Sequence, residues 1–424
     1  MKIAVIGTGI AGNVAAYHLA KNHDITVFEA NTHVGGHTHT HDIEWQGKNY
    51  AVDTGFIVFN QKTYPNFIAL LDELGVEAEP SNMSFSVKCE RTGLEYNGNS
   101  LNTLFAQRRN IINPSFYRMI KDILRFNREA TSLIDKQDLD MSLAEFLYRG
   151  GYGKEFIEQY LVPMGAAIWS ANPGVMYQFP AGFFIRFFHN HGLLSVNDRP
   201  QWYVIKGGSR EYVKKLTASF HDRIHTSSPI QSIARYPTHV MVKVVGQEAE
   251  KFDQVFIATH SNQALSMLND ASSLEKEILG SIPYQVNEAV LHTDDEVLPE
   301  RRLAWASWNY HLLQNDNERV PVTYNMNILQ NIDAPVQFCV TLNNSAAISP
   351  DKVLKRITYH HPIFTPDGIK QQQRQQEING VNRTYYCGAY WRYGFHEDGV
   401  ISALNALQHF EEQNNAQLFL RRAS

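Results

Sequence analysis

The chain begins with a short apolar run, Lys2-Ile3-Ala4-Val5-Ile6, which leads directly into Gly7-Thr8-Gly9-Ile10-Ala11-Gly12; no other stretch restricts the fold as strongly. Residues 11–21 (AGNVAAYHLAK) have helical composition, and Asp24–Phe28 is a second β-branched run. Strand, glycine turn, helix and strand within the first 29 residues predict a βαβ unit whose parallel strands are both buried. In G-x-G-x-x-G, Gly7 allows the tight turn, Gly9 lets a pyrophosphate approach the backbone, and Gly12 lets helix and strand pack closely. The helix start at Ile10 and Ala11 offers free N–H groups and a partial positive charge to that pyrophosphate. Glu29 ends the second strand, where a carboxylate can accept hydrogen bonds from a ribose. The pattern points to dinucleotide binding; the competing readings are a glycine turn without ligand and a methyltransferase fold with a similar start.

Composition narrows the class further. With 424 residues, 43% hydrophobic and 19% charged, the chain can bury a core and has room for two or three domains. A net charge of −5 argues against a nucleic-acid partner. Three widely spaced cysteines, Cys89, Cys339 and Cys387, point to a reducing compartment with neither disulfide framework nor structural zinc. No apolar run is long enough to span a bilayer, and glycines interrupt the apolar start where a signal peptide needs continuity. A cytoplasmic location is expected, with peripheral membrane contact as its variant.

Further along, Phe116–Arg128 has helical apolar spacing and a basic stripe, Arg118, Lys121, Arg125 and Arg128, preceded by Arg108 and Arg109. The stripe is either a solvated face or a docking face for anionic lipid headgroups. Residues 160–205 are rich in aromatics, glycine and proline, predicting cavity walls and turns rather than regular helix. Within them, Tyr177, Phe179, Phe183, Phe184, Phe187 and Phe188 either line an apolar cavity or form ordinary core. Residues 36–60 alternate like a hairpin or a sheet edge. Pro229–Val245 and Phe252–Thr259 read as strands returning to the first sheet, 286–345 as mostly β, 371–376 as a glutamine-rich loop, and the region near 397–412 as a terminal helix.

After Glu29 comes Ala30-Asn31-Thr32-His33-Val34-Gly35-Gly36-His37, a second glycine turn. This stretch resembles the flavin amine oxidase superfamily, which includes monoamine oxidases, protoporphyrinogen oxidases and phytoene desaturases. There an arginine follows the glycine pair; here His37 replaces it, so one phosphate-directed charge is missing or pH-dependent. Asp53-Thr54-Gly55-Phe56, with Ile57 next, is similar to the segment that passes the flavin. Pro229–Ile233 is similar to the strand that sets an aliphatic residue, here Ile230, by the adenine. Phe256–Thr259, ending in Ala258 and Thr259, is similar to the strand that follows. Gly388-Ala389 and Phe395-His396-Glu397-Asp398-Gly399 resemble the closing flavin motif. The resemblance implies FAD and an α/β fold: a Rossmann-like FAD-binding domain from 1–80, 205–285 and 380–424, with an inserted α+β substrate domain from 81–204 (largely helical) and 286–379 (mostly β). The chain looks most like a bacterial branch of this superfamily whose members accompany methyltransferases similar to cyclopropane-fatty-acid synthase. That likeness implies a lipid or fatty-acyl substrate and a partner methyltransferase.

The activity expected from the resemblance is hydride removal from a C–H bond of an apolar substrate to flavin N5, the protein shaping the cavity around the ring. Candidate substrate-facing residues are Trp202, Trp391, Tyr393, His191 and Arg186, with Arg186 or Arg199 available to an acyl carboxylate. Ile282–Val290, matching the stretch where many amine oxidases carry a lysine, has none, and no catalytic acid or base is assigned. Two other readings stand: an oxidase of small amines, and a flavin-binding partner subunit with little turnover. His37, His39 and His41 alternate and on a strand would share one face, yet no carboxylate or cysteine completes a ligand set, so no metal is expected.

Overall fold

The computed structural model describes residues 1–133, 141–169, 172–195, 199–314 and 321–423. Parts of the stretches read above as helical (134–140) and as cavity wall (170–171 and 196–198) lie outside the described residues.

A five-stranded parallel sheet is built from three distant parts of the chain. Its order is Ile224–His225, Asp24–Phe28, Lys2–Ile6, Gln254–Ile257 and Thr384–Tyr386. Alternate side chains of the first strand serve opposite faces. Ile3 and Val5 join a core with the helix Ile10–Leu19, the helix Arg210–Thr217 and the start of His396–Ala423. Ala4 and Ile6 join a second core against a separate antiparallel sheet, Ile230–Arg235, Val240–Val244 and Ala249–Phe252. Of the two segments expected to return to the first sheet, only 254–257 does so. Pro229–Val245 instead forms the hairpin that covers one face, and its alternating burial leaves one side to solvent.

The second half of the molecule rests on a seven-stranded sheet ordered Val353–Pro362, Tyr284–His292, Cys339–Leu342, Val322–Asn325, Trp308–Leu312, Phe85–Cys89 and Leu94–Asn97. All neighbours are antiparallel except 85–89 against 308–312. Helices Pro114–Leu133, Val162–Trp169 and Ala181–Asn190 pack over it through Phe126, Trp169, Phe184 and Phe188. The 160–205 segment is therefore helical where turns were expected. Two of its prolines begin helices instead of breaking them: Pro173 is the first residue of one helix and Pro180 is the N-cap of the next. Among the described residues no helix is long and apolar enough to cross a membrane.

Candidate functional site

One cavity of about 1470 Å³ runs between the two sheets. All the cofactor-site residues named from the sequence line it except Gly12, Gly35 and Gly399. Those three act through packing. A Cβ on Gly12 would lie 1.9 Å from Gly7 O, one on Gly35 2.6 Å from Thr38 O, and one on Gly399 2.6 Å from Ile10 Cγ2. Gly7, at φ +99°, makes the turn, and its N–H donates to Phe28 O at 2.8 Å. Gly9 caps the first helix with nothing within 4 Å of where its Cβ would stand, no side chain caps that helix, and its first turn holds no acid. Free helical N–H groups thus face open space, the arrangement a pyrophosphate needs. The second glycine turn closes over it: a Cβ on Gly36 would stand 2.9 Å from Gly9 Cα.

Glu29 is buried at this end, where Oε2 accepts from Thr8 N (2.9 Å) and Thr8 Oγ1 (2.5 Å) and Oε1 from Asn31 N and Nδ2 (2.9 Å each). Its carboxylate therefore also ties the two glycine turns together. His37 lines the cavity half-buried, packs on Tyr359 and His361 with ring centroids 5.0 and 5.3 Å away, and its Nε2 is buried without a hydrogen-bond partner among the described residues. Burial lowers its pKa to about 4, helped by the His360 charge. The imidazole is neutral at physiological pH, so the arginine's charge is absent here, not pH-dependent. His37 also stands apart from its expected partners: the strand begins only at Thr40, and the imidazoles that meet, with centroids 4.0 Å apart, are His33 stacked on His39 and His41 tilted against His39.

Around the ring end, Gly55 lies so close to the second turn that a Cβ would be 2.0 Å from His37 O, and Phe56 N donates to that same carbonyl. Asp53, fully buried, accepts from Thr40 Oγ1, Ser209 N and Oγ and Gln330 Nε2 and so fixes this segment; desolvation raises its pKa to about 6. His396 stacks on Phe56 at 3.5 Å and bonds Thr38 Oγ1 and Tyr212 OH. The glutamine-rich stretch, expected as a loop, forms two short helices, Pro366–Gln372 and Gln375–Ile378. Gln372 Nε2 donates to Tyr390 O and Arg392 O, and Gln375 Nε2 to Tyr386 O, holding the closing segment in place. Composition alone gave no sign of that role.

The other end of the cavity is walled by side chains. Trp202, Tyr393, His191 and Arg199 are there as expected. Trp391 is not: at 3% exposure it packs with Tyr390 in the core behind the first sheet. Arg186 is also off the lining, on the solvent side of its helix. Of the six aromatics in 177–188 only Phe187 reaches the cavity; the helix Ala181–Asn190 turns Phe183, Phe184 and Phe188 into the core, and Tyr177 and Phe179, which precede it, pack against the same core. Their place is taken by Tyr96, Trp308 and Tyr324 of the seven-stranded sheet and by Phe364, none of which the sequence marked, and by Trp169 of the segment read as cavity wall. His191 Nδ1 lies 3.0 Å from Phe187 O; a carbonyl only accepts, so Nδ1 carries the proton and Nε2 the lone pair. Burial holds the His191 pKa down to about 4, so the ring is neutral. Among the described lining residues Glu29 is the only carboxylate and Arg199 the only lysine or arginine.

A cradle of glycines, a bare helix start and an unpartnered imidazole fit a flavin dinucleotide, and comparison with known proteins agrees. The profile of the flavin containing amine oxidoreductase family matches residues 10–326. Over 108 residues, 24% of this chain and 14% of the relative's length, the chain is 36% identical to tryptophan 2-monooxygenase of Allorhizobium ampelinum. Cyclohexylamine oxidase from Brevibacterium oxydans IH-35A shares the fold with a TM-score of 0.69 at 15% identity, over 97% of this chain and 99% of that one. A CLA-producing fatty acid isomerase from P. acnes does so with a TM-score of 0.68 at 17% identity, over 96% and 98%. The chain belongs to the flavin containing amine oxidoreductase family. It is an FAD-dependent oxidoreductase with the Rossmann-like α/β architecture read from its first residues.

Proposed function

We propose that the substrate is an amphiphile with a long apolar chain and an anionic end, a fatty-acyl compound, oxidised at a C–H bond. The charge inventory of the cavity carries this reading. Among the described residues the substrate end offers aromatic and aliphatic walls, no carboxylate to meet an ammonium, and one lysine or arginine, Arg199. Arg199 Nε donates to Ser195 O, and its guanidinium tip has no other hydrogen-bond partner among the described residues and can meet a carboxylate. Each methylene withdrawn from water against Met83, Phe85 and Leu342 contributes about 0.8 kcal/mol, a gain a short amine cannot match. The fatty acid isomerase that shares the fold supports the same direction.

Bound FAD supplies a two-electron acceptor for hydride. The chain's part is to orient and exclude water: Trp202, Phe187 and Phe395 enclose the reacting segment, and His191, with Nε2 unprotonated, can accept a proton or a hydroxyl hydrogen bond. No lysine lines the cavity among the described residues.

Anaerobic mixing tests the reading. Unsaturated or methyl-branched acyl lipids should bleach the flavin band, while benzylamine, polyamines and amino acids leave it oxidised. Arg199→Gln should weaken acyl binding about 10- to 100-fold, the loss of about 1.5–3 kcal/mol expected for a charged hydrogen bond. Rapid bleaching by simple amines with none by any acyl chain restores an amine-oxidase assignment.

A further inference from the structure

The stretch from Leu101 to Arg128 has no role in the cavity, yet its surface is unlike the rest of the molecule. Five large apolar side chains stand exposed on it: Leu101 (76%), Ile111 (51%), Ile112 (85%), Tyr117 (47%) and Leu124 (54%). Ile111, Ile112, Pro114, Tyr117, Arg118 and Lys121 line one shallow groove. Along the helix Pro114–Leu133, exposed positions recur at 114, 117, 118, 121, 124 and 128, a single solvent-facing stripe.

The charges divide on inspection. Arg125 is taken up by Asp122 at 3.2 Å and by the Tyr152 ring at 4.1 Å, and Arg118 lies 3.3 Å from Glu155. Arg108, Arg109, Lys121 and Arg128 are exposed and have no carboxylate partner among the described residues. No exposed carboxylate accompanies them between 99 and 128, on a chain whose net charge is −5. Isoleucines flanked by unpaired cations suit an interface that is apolar inside and anionic outside. The cavity lining, moreover, includes exposed Gly98 and Asn99, directly before Ser100, which caps the short helix carrying Leu101.

We propose that this face docks onto an anionic phospholipid bilayer, with Ile111 and Ile112 entering the headgroup layer and the cavity edge at Gly98–Asn99 set against it. Docking stands independently of the acyl-substrate reading; only the delivery of a lipid across that edge rests on it.

The test uses the full-length flavoprotein and vesicles of phosphatidylcholine, alone or mixed with phosphatidylglycerol. Co-sedimentation should require phosphatidylglycerol and weaken with salt. It should disappear in K121E/R128E and fall at least roughly tenfold in I111S/I112S, with the flavin absorbance of both variants unchanged. Equal binding to neutral vesicles, no binding to anionic ones, or full binding by both variants overturns the proposal. So does a dimer in light scattering that I111S/I112S dissociates, or salt-sensitive binding to DNA in place of vesicles. Reduction of the flavin by detergent-dispersed acyl substrate is read separately, so a failed substrate assignment and a failed docking face give different results.

Discussion

Around the dinucleotide end of the cavity the wall is mostly main chain: Gly7, Gly9, Gly36, Gly55 and Gly388 let backbone stand where side chains would otherwise be. Across the substrate end it is mostly side chain, contributed by the seven-stranded sheet and the helices over it. A cofactor with a fixed shape and charge demands close backbone approach, and only glycine permits that. A greasy chain demands volume and dryness, which many residues supply. Substitutions should therefore be intolerable at the first end and graded at the second.

Gly12→Ala is the severest way to probe the first end. A methyl 1.9 Å from Gly7 O forces the helix off the strand and moves the N–H groups meant for the pyrophosphate. FAD affinity should fall at least about 100-fold, roughly 2.7 kcal/mol, measured by flavin content and titration of the apoprotein. Gly47→Ala, at φ +78° in the hairpin turn with nothing within 4 Å, controls for backbone strain alone. Equal flavin loss in both variants breaks the contrast.

Acid should separate the two ends next. His37, His260 and His361 are held neutral with pKa values of about 4, about 3 and about 3, and His396 well below the usual value, in each case chiefly by burial. All four line the cavity, as does His191, which sits beside Trp202 at the substrate end. Unfolded histidine titrates near 6.5, so below that pH the unfolded chain binds more protons. Stability then falls as pH drops from about 6.5, by about 1 kcal/mol per histidine over the first unit. Asp53 and Asp398, raised by desolvation to about 6 and about 7, run the other way and offset part of the loss. FAD release, followed by flavin fluorescence, should begin between about pH 6.5 and 5 while the melting temperature falls. A flavin that stays bound with an unchanged melting temperature contradicts the assignment of these imidazoles as neutral.

The same division explains what the sequence disclosed. The glycines were legible because each excludes a Cβ for a reason local to its own turn, and Glu29 because it ends the strand those turns serve. Tyr96, Trp308 and Tyr324 were not, since the strand of Tyr96 meets those of Trp308 and Tyr324 only through the pairing of 85–89 against 308–312, more than 200 residues apart. Gln372 looked like filler because its work, holding two carbonyls of the closing segment, depends on a contact about 20 residues away. Arg186 was misplaced, and the aromatics at 177–188 stayed undecided between cavity and core, because a side chain's composition is identical whichever it faces; only the packing around the helix Ala181–Asn190 decides.

Trp391 and Trp202 give the finest test of that point. The closing motif surrounds Trp391, so sequence sets it before the substrate, yet its ring packs behind the sheet and its Nε1 is buried without a partner among the described residues. Trp391→Phe removes that unpaired donor, which offsets much of the small void left, so the net stability change should be within about 1 kcal/mol. KM for the acyl substrate should not move, because nothing on the cavity wall changes. Trp202 lines the cavity beside His191, ring centroids 6.3 Å apart, and pairs with Asn60 and Ser81 through the backbone alone. Trp202→Phe keeps that pairing and removes wall area, so KM should rise about threefold to tenfold, the loss of one or two methylene-sized contacts, while stability holds. Steady-state kinetics beside thermal melting reads both variants. A KM that rises for Trp391→Phe and stays level for Trp202→Phe would return the closing motif's tryptophan to the substrate wall and undo the division between the two ends.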